Sequence, residues 1–264
     1  MMTDADRLAR VFAAICARAA IPVMEVYATE FTADQKADRS PVTEADRRAE
    51  DVILHELAGV LPGVPVLAEE SFEAGLRPDI AGEFVLVDPV DGTKEFINKN
   101  DEFTINIALI RDRVPVAGCV YAPALSRIWL GGREAASASL APGASFDPAA
   151  AQSIRTRPAP TGGLTAVMSR SHADEETRRF AKRLGVTDTV SAGSSLKFCR
   201  VAEGAADVYP RFGPTKEWDT GAGHAVLIAA DGAVTRPDGG PFLYGKTETD
   251  YLNGPFVAWA HGPR

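Results

Sequence analysis

The segment Val85–Phe96, VLVDPVDGTKEF, constrains the fold more than any other part of the chain. It opens as a short apolar, β-branched run of the kind that forms a buried strand, and that strand is expected to end on Asp88. A second acid, Asp91, follows three residues later, with Gly92 and Thr93 directly behind it. Acids at a strand end lie at one edge of a sheet, where sites are commonly built. Pro89 stiffens the turn between the two acids. Gly92 lets the backbone approach a ligand, so the amides of Gly92 and Thr93 are placed to cradle a phosphate. Taken alone, an Asp-x-x-Asp-Gly stretch equally suits a solvated turn.

Other carboxylates occupy similar places. Glu69 and Glu70 follow a short strand at 64–67 in VPVLAEES, and Asp219 opens a helical pattern in EWDTGAGHAV. Carboxylates brought together repel one another and take up protons unless cations hold them. No cysteine or histidine cluster accompanies them, and an all-oxygen set selects Mg²⁺ or Mn²⁺ over zinc. Each acid also has a purely structural reading. Thr43 and Asp46 match an N-terminal capping box, with aspartate in place of the usual glutamate. Asp219 fits a first-turn acid that complements a helix dipole.

The rest of the chain alternates helical and extended patterns. Leu8, Phe12, Ile15 and Ala19 predict an amphipathic first helix that Pro22 should kink or interrupt. Ala49, Ile53 and Leu57 point inward from a second helix that opens at Thr43 and Asp46. Strands are expected at 103–111 and 115–122, joined by Asp112-Arg113, and near Ile128–Leu130. The Ala-, Ser-, Pro- and Gly-rich stretch 134–163 marks a boundary, which divides the chain into halves at 1–133 and 160–264. In the second half, strands are expected at 164–169 and 206–209, and helices at 173–184, 194–203 and 219–230.

Composition excludes several classes of function. The net charge of −8 over 264 residues argues against a polynucleotide partner, which would call for a basic surface. No apolar run reaches the ~18 residues of a membrane span. The start of the chain lacks the basic-then-apolar order of a signal peptide. Three widely spaced cysteines, Cys16, Cys119 and Cys199, suit buried thiols in a cytoplasmic protein.

Together PVTEADRRAE, VLAEES, VDPVDGTKEF and EWDTGAGHAV resemble, in order and spacing, the motifs of the inositol monophosphatase-like, Mg²⁺-dependent and lithium-sensitive phosphatases. The resemblance runs from about Ala5 to Trp259. Within that family EFTINIAL, SRSHAD and GSSLKFCRVAEGAADVYPRFGPTKEWDT look most like the bacterial 3′(2′),5′-bisphosphate nucleotidases, which convert adenosine 3′,5′-bisphosphate to AMP and so clear a by-product of sulfate assimilation. The resemblance implies an α+β fold, a layered α-β-α-β-α sandwich, working as a monomer or homodimer in the cytoplasm, with peripheral membrane association left open. It implies two or three Mg²⁺ ions, with Mn²⁺ as a substitute, held by Glu69, Asp88, the Val90 carbonyl, Asp91 and Asp219. Asp46 and Thr93 match the pair that activates the attacking water, and Gly92 and Thr93 the phosphate cradle.

His172, Ser194, Lys197 and Arg211 fall in the region that holds the nucleoside and the second phosphate, with Ser195 and Lys216 as further candidates. As isolated residues, the basic ones also suit solvated charges. His55, His224, Phe198, Tyr209 and Phe212 are expected to be structural. The sequence departs from the family pattern at Ala68, Gly221 and Asp231 without losing a ligand. Two rivals stay open: a phosphatase of the same fold acting on inositol phosphate, fructose 1,6-bisphosphate or histidinol phosphate, and a non-catalytic nucleotide-binding regulator.

Overall fold

In the computed structural model, residues 4–30, 34–35, 41–168 and 174–262 are described. Helix α1, Asp4–Tyr27, buries Leu8, Phe12, Ile15 and Ala19 as their spacing predicts. It also continues through Pro22, so of the kink or interruption expected there the interruption is absent. The proline removes one backbone donor. Val23 and Val26 beyond it are buried, and that burial holds the last turn in place. Helix α2, Glu44–Val60, starts at the Thr43–Asp46 capping box and buries Ala49, Ile53 and Leu57.

Among the described residues, seven strands form the first sheet, in the order Val66–Ala68, Glu83–Asp91, Thr104–Arg111, Val114–Ala122, Arg127–Gly131, Ala135–Ser139 and Gln152–Ser153. The first pair is parallel and the others are antiparallel. Asp112 and Arg113 both take positive φ, 50° and 68°, the geometry of a two-residue hairpin turn in step with strand twist. The short helices α3, Glu69–Glu73, and α4, Thr93–Ile97, follow the first two strands directly. The expected boundary segment 134–163 contributes the last two strands of this sheet. Small side chains there pack closely, with Ala135, Ser137 and Ala138 buried, so composition alone did not mark a linker.

Among the described residues, the remaining α-helices are α5, Glu175–Arg183, α6, Leu196–Ala202, and α7, Trp218–Ala229. Val85, Val87, Ile105 and Ile107 face the α1 and α2 side. Leu86, Ala108, Ile110 and Val120 share a second core with Leu196, Phe198, Ala222 and Val226 of α6 and α7. Beyond these helices lies a second sheet, in the order Val186–Ser191, Leu164–Met168, Val208–Arg211, Phe256–Trp259 and Ala233–Thr235. Phe180 of α5 packs with Leu164, Ala166, Val208 and Trp259 on its outer face. The expected α-β-α-β-α layering is present.

Phe198 stacks on Phe256 at 5.6 Å and Phe212 meets Phe180 at 5.1 Å, both in structural roles. His224 is buried, with Nδ1 3.0 Å from the Tyr244 hydroxyl, whereas His55 is exposed on α2. Gly221 is closely packed, since a Cβ there would lie 2.8 Å from Leu86 Cδ1, which would have to shift.

Candidate active site

The strand Glu83–Asp91 passes beyond Asp88, where the apolar run stops, and its pairing shifts register. Asp88 pairs with Asn106 but Asp91 with Thr104, so three steps on one strand match two on its neighbour. In a regular strand, residues three apart point to opposite faces. The extra residue of this bulge restores the parity, and both acids emerge on the face that Asn106 and Thr104 share. Asp88 is buried, with Oδ1 accepting from the Val90 amide at 3.1 Å. Asp91 Oδ2 accepts from Asn106 Nδ2 at 3.3 Å and from Thr104 Oγ1 at 3.4 Å. Gly92 then opens α4 in the left-handed region, φ 90° and ψ 47°. Thr93 Oγ1 donates to the Val90 carbonyl at 3.4 Å.

Glu69 is placed by a residue that the sequence reading passed over. The Glu50 carboxylate on α2 accepts from the Glu70 amide at 2.8 Å, the Ser71 amide at 2.7 Å and Ser71 Oγ at 2.6 Å. These bonds fix the first turn of α3, on which Glu69 stands.

The second half reaches the site through the turn before α6 and the start of α7. Ser194, at φ 46°, donates from Oγ to the carbonyls of Asp91 at 2.8 Å and Glu102 at 2.9 Å. Ser195 Oγ donates to the Asp219 carbonyl at 3.0 Å, and Asp219 Oδ2 accepts from the Lys216 amide at 2.8 Å. Lys197 is buried, with Nζ donating to the Ser194 carbonyl at 2.8 Å. Arg211 donates to the carbonyls of Gly213 and Pro214, both at 3.2 Å.

One cleft therefore brings together Glu69, Asp91, Gly92, Thr93, Ser194, Lys197, Arg211 and Asp219. Asp88 and Val90 are buried beside it. Asp46 is also buried, with Oδ2 accepting from the Thr43 amide at 2.8 Å and from Thr43 Oγ1 at 2.7 Å. His172 lies outside the described residues, and the Lys216 ammonium bonds to the Asp250 carbonyl. Glu95, Tyr209, Thr215 and Thr220 line the cleft as well, although sequence reasoning did not select them for the site.

The electrostatics of the cleft are dominated by acids packed into protein. Asp91 and Asp219 keep some solvent contact but are densely surrounded. Burial pushes both carboxyls upward, and Asp219 reaches about 7 with repulsion from Asp91 as the second cause. Burial lowers Lys197 to about 8, against the pull of Asp91. Among the described residues, no three His, Cys, Asp or Glu side chains already form a cluster able to hold a metal ion. Mg²⁺ does not require one, since it keeps several waters and takes one or two carboxylates beside substrate phosphate. Asp91 and Asp219, mutually repelled in one cleft with Glu69 on its wall, are a fitting oxygen donor set for such an ion.

The sequence profile described as the inositol monophosphatase family matches residues 4–260. A 3′(2′),5′-bisphosphate nucleotidase CysQ of Escherichia coli is 43% identical over 233 residues, covering 88% of this chain and 91% of that protein. The crystal structure of CysQ from Bacteroides thetaiotaomicron, a bacterial member of the inositol monophosphatase family, superposes with a TM-score of 0.80 at 35% identity, over 98% of each chain. An inositol monophosphatase from Zymomonas mobilis superposes with a TM-score of 0.76 at 25% identity, over 98% of this chain and 94% of that one.

Proposed function

The chain belongs to the inositol monophosphatase family, and from that premise we propose that it is a phosphomonoester hydrolase that converts adenosine 3′,5′-bisphosphate to AMP and phosphate. The observation that carries the reading is the meeting of Asp91 and Asp219, from opposite halves of the chain, in one cleft with Lys197 and Arg211. Acids alone would repel a phosphate, and cations alone would bind it without activating water. The two sets together suit hydrolysis of a substrate with a second phosphate.

Glu69, Asp88, the Val90 carbonyl, Asp91 and Asp219 would hold Mg²⁺. When bound, the ion supplies charge neutralisation at the transferred phosphoryl group and lowers the pKa of water. The protein's own part is positioning. The backbone amides at Gly92 and Thr93 orient the phosphate that leaves. Thr93 Oγ1 would accept the attacking water's proton as its own hydroxyl proton passes toward the Asp46 carboxylate, which serves as the base. Arg211, half-exposed and anchored by two carbonyls, presents its remaining N–H groups to the second phosphate. Lys197, buried and bonded to the Ser194 carbonyl, acts as counter-charge to Asp91. The buried thiols, with no disulfide, support a cytoplasmic setting. Among the described residues no helix is long and apolar enough to cross a membrane.

A substrate panel with Mg²⁺ tests the assignment. A charge-assisted contact to a second phosphate is worth roughly 1.5–3 kcal/mol, so the bisphosphate should exceed inositol 1-phosphate about ten- to a hundredfold in kcat/KM. Li⁺ should inhibit where K⁺ at equal ionic strength does not, because a small hard monocation fits the same oxygens with half the charge. Preference for inositol 1-phosphate would return the enzyme to the nearer rival.

A further inference from the structure

We propose that Asn106, acting through Ser195, is a positioning residue that sets Asp91 and Asp219 relative to one another for a divalent cation. The inference rests on the metal reading above and adds a residue to it.

Asn106 lies in the middle of the strand Thr104–Arg111 and is 1% exposed. Its Nδ2 donates twice, to Asp91 Oδ2 at 3.3 Å and to Ser195 Oγ at 3.1 Å. Ser195 Oγ in turn donates to the backbone carbonyl of Asp219 at 3.0 Å. A path of three hydrogen bonds, buried at its centre, thus joins the carboxylate of an acid on the first sheet to the backbone carbonyl of an acid on α7. No backbone element makes this connection directly, since Asp91 ends a strand and Asp219 begins a helix.

A structural role alone does not account for this asparagine. Its Oδ1 is buried with no hydrogen-bond partner among the described residues. An unsatisfied buried carbonyl is destabilising, whereas an apolar side chain of similar size would pack there without that penalty. Ala108 and Ile110, the next residues on the same face, are apolar and buried in the second core. What the amide contributes is its pair of N–H donors, and both are directed at groups that carry the candidate ligands. Donors that hold a carboxylate from behind keep its orientation when a cation binds, and losing such a partner typically weakens metal binding about 10- to 100-fold.

Calorimetric titration of the full-length protein with Mg²⁺ alone tests this, using wild type, Asn106→Ala, Ser195→Ala and the double variant. Asn106→Ala should raise the Mg²⁺ Kd about 10- to 100-fold. Ser195→Ala should raise it in the same direction. The double variant should be no worse than Asn106→Ala, because both changes cut one path. At saturating Mg²⁺ the KM of Asn106→Ala for the phosphate ester should stay close to wild type, since Asn106 does not line the substrate cleft. A purely structural asparagine would lower the melting temperature and leave the Mg²⁺ Kd within about twofold of wild type, which would overturn the proposal. So would losses that multiply in the double variant. If Asn106→Ala fails to fold, an unchanged Mg²⁺ Kd in Ser195→Ala overturns it alone. A wild-type protein that takes up no Mg²⁺ overturns the metal reading and this inference with it, an outcome distinct from normal wild-type binding with an indifferent Asn106.

Discussion

Replacing Gly92 with alanine should both destabilise the protein and misplace the phosphate cradle proposed above. Gly92 sits at φ 90°, and an added Cβ would fall 1.9 Å from Ser194 Oγ, far inside contact distance. Holding alanine in the left-handed region costs ~1–2 kcal/mol. Moving Ser194 Oγ out of the way forfeits the bond its one hydroxyl proton shares between the Asp91 and Glu102 carbonyls, ~1 kcal/mol. The sum, ~2–3 kcal/mol, corresponds to a fall in Tm of roughly 4–12 °C for a chain of this size. Turnover should fall as well, because the cradle amides move with the turn. A double-mutant cycle with Ser194→Gly isolates the cause. That change removes the obstructing hydroxyl, so Gly92→Ala should cost only ~1–2 kcal/mol in its background, a coupling of ~1 kcal/mol. Thermal scans and kcat/KM on all four proteins provide the measurement. Equal costs of Gly92→Ala in both backgrounds would refute the packing argument, and an unchanged Tm would refute the backbone one.

Two other expectations follow from the same geometry. Asp91→Asn removes a charged donor, so turnover at saturating Mg²⁺ should fall about a thousandfold or more while the fold survives, burial already disfavouring that charge; a folded variant that keeps more than about a tenth of the activity contradicts the assignment. His224 is held neutral by burial, with its pKa lowered to about 3 from the ordinary 6.5. The unfolded chain therefore binds a proton at pH 5 that the folded one refuses. This contribution to stability is complete above about pH 6.5 and is lost as pH falls toward 3, with ~2 kcal/mol gone between pH 7 and pH 5. Urea unfolding of His224→Gln should show a pH dependence shallower by that amount, and an identical slope would reject the linkage.

The amphipathic helices were legible because their inward stripes repeat at helical spacing. The boundary segment 134–163 was not, since Ala-Ala-Ser-Ala-Ser has the composition of a linker and the packing of a strand. The site was legible as a set of acids at strand and helix ends, but not its supports. Glu50 lies on the same stripe as Asp46, Ala49, Ile53 and Leu57, so a charged residue on a buried helix face was the available signal. Asn106 sat equally in view, a polar residue inside the apolar run INIALI. The one-residue bulge between Asp88 and Asp91 had no such signal. Its presence depends on the pairing partner, and without it the two acids would be assigned to opposite faces.

Several unfavourable features of the molecule lie in and beside the cleft. Asp91, Asp219 and Glu95 are acids that burial pushes toward protonation, Ser194 holds a left-handed backbone, and Asn106 keeps an orphaned carbonyl. Local conflicts of this kind are expected to relax unless the surroundings prevent it. Here α7 prevents it. The helix carries Asp219 in its first turn and shares one core with residues of both sheets, including Leu86 and Ala108 of the first and Phe256 and Ala258 of the second. At Gly221 it approaches so closely that even a methyl group would press on Leu86. A helix fixed on both faces cannot withdraw its aspartate from Asp91 to relieve their repulsion. A divalent cation, as proposed for this site, would relieve it without movement, and so the same packing that stores the repulsion would favour binding of the ion.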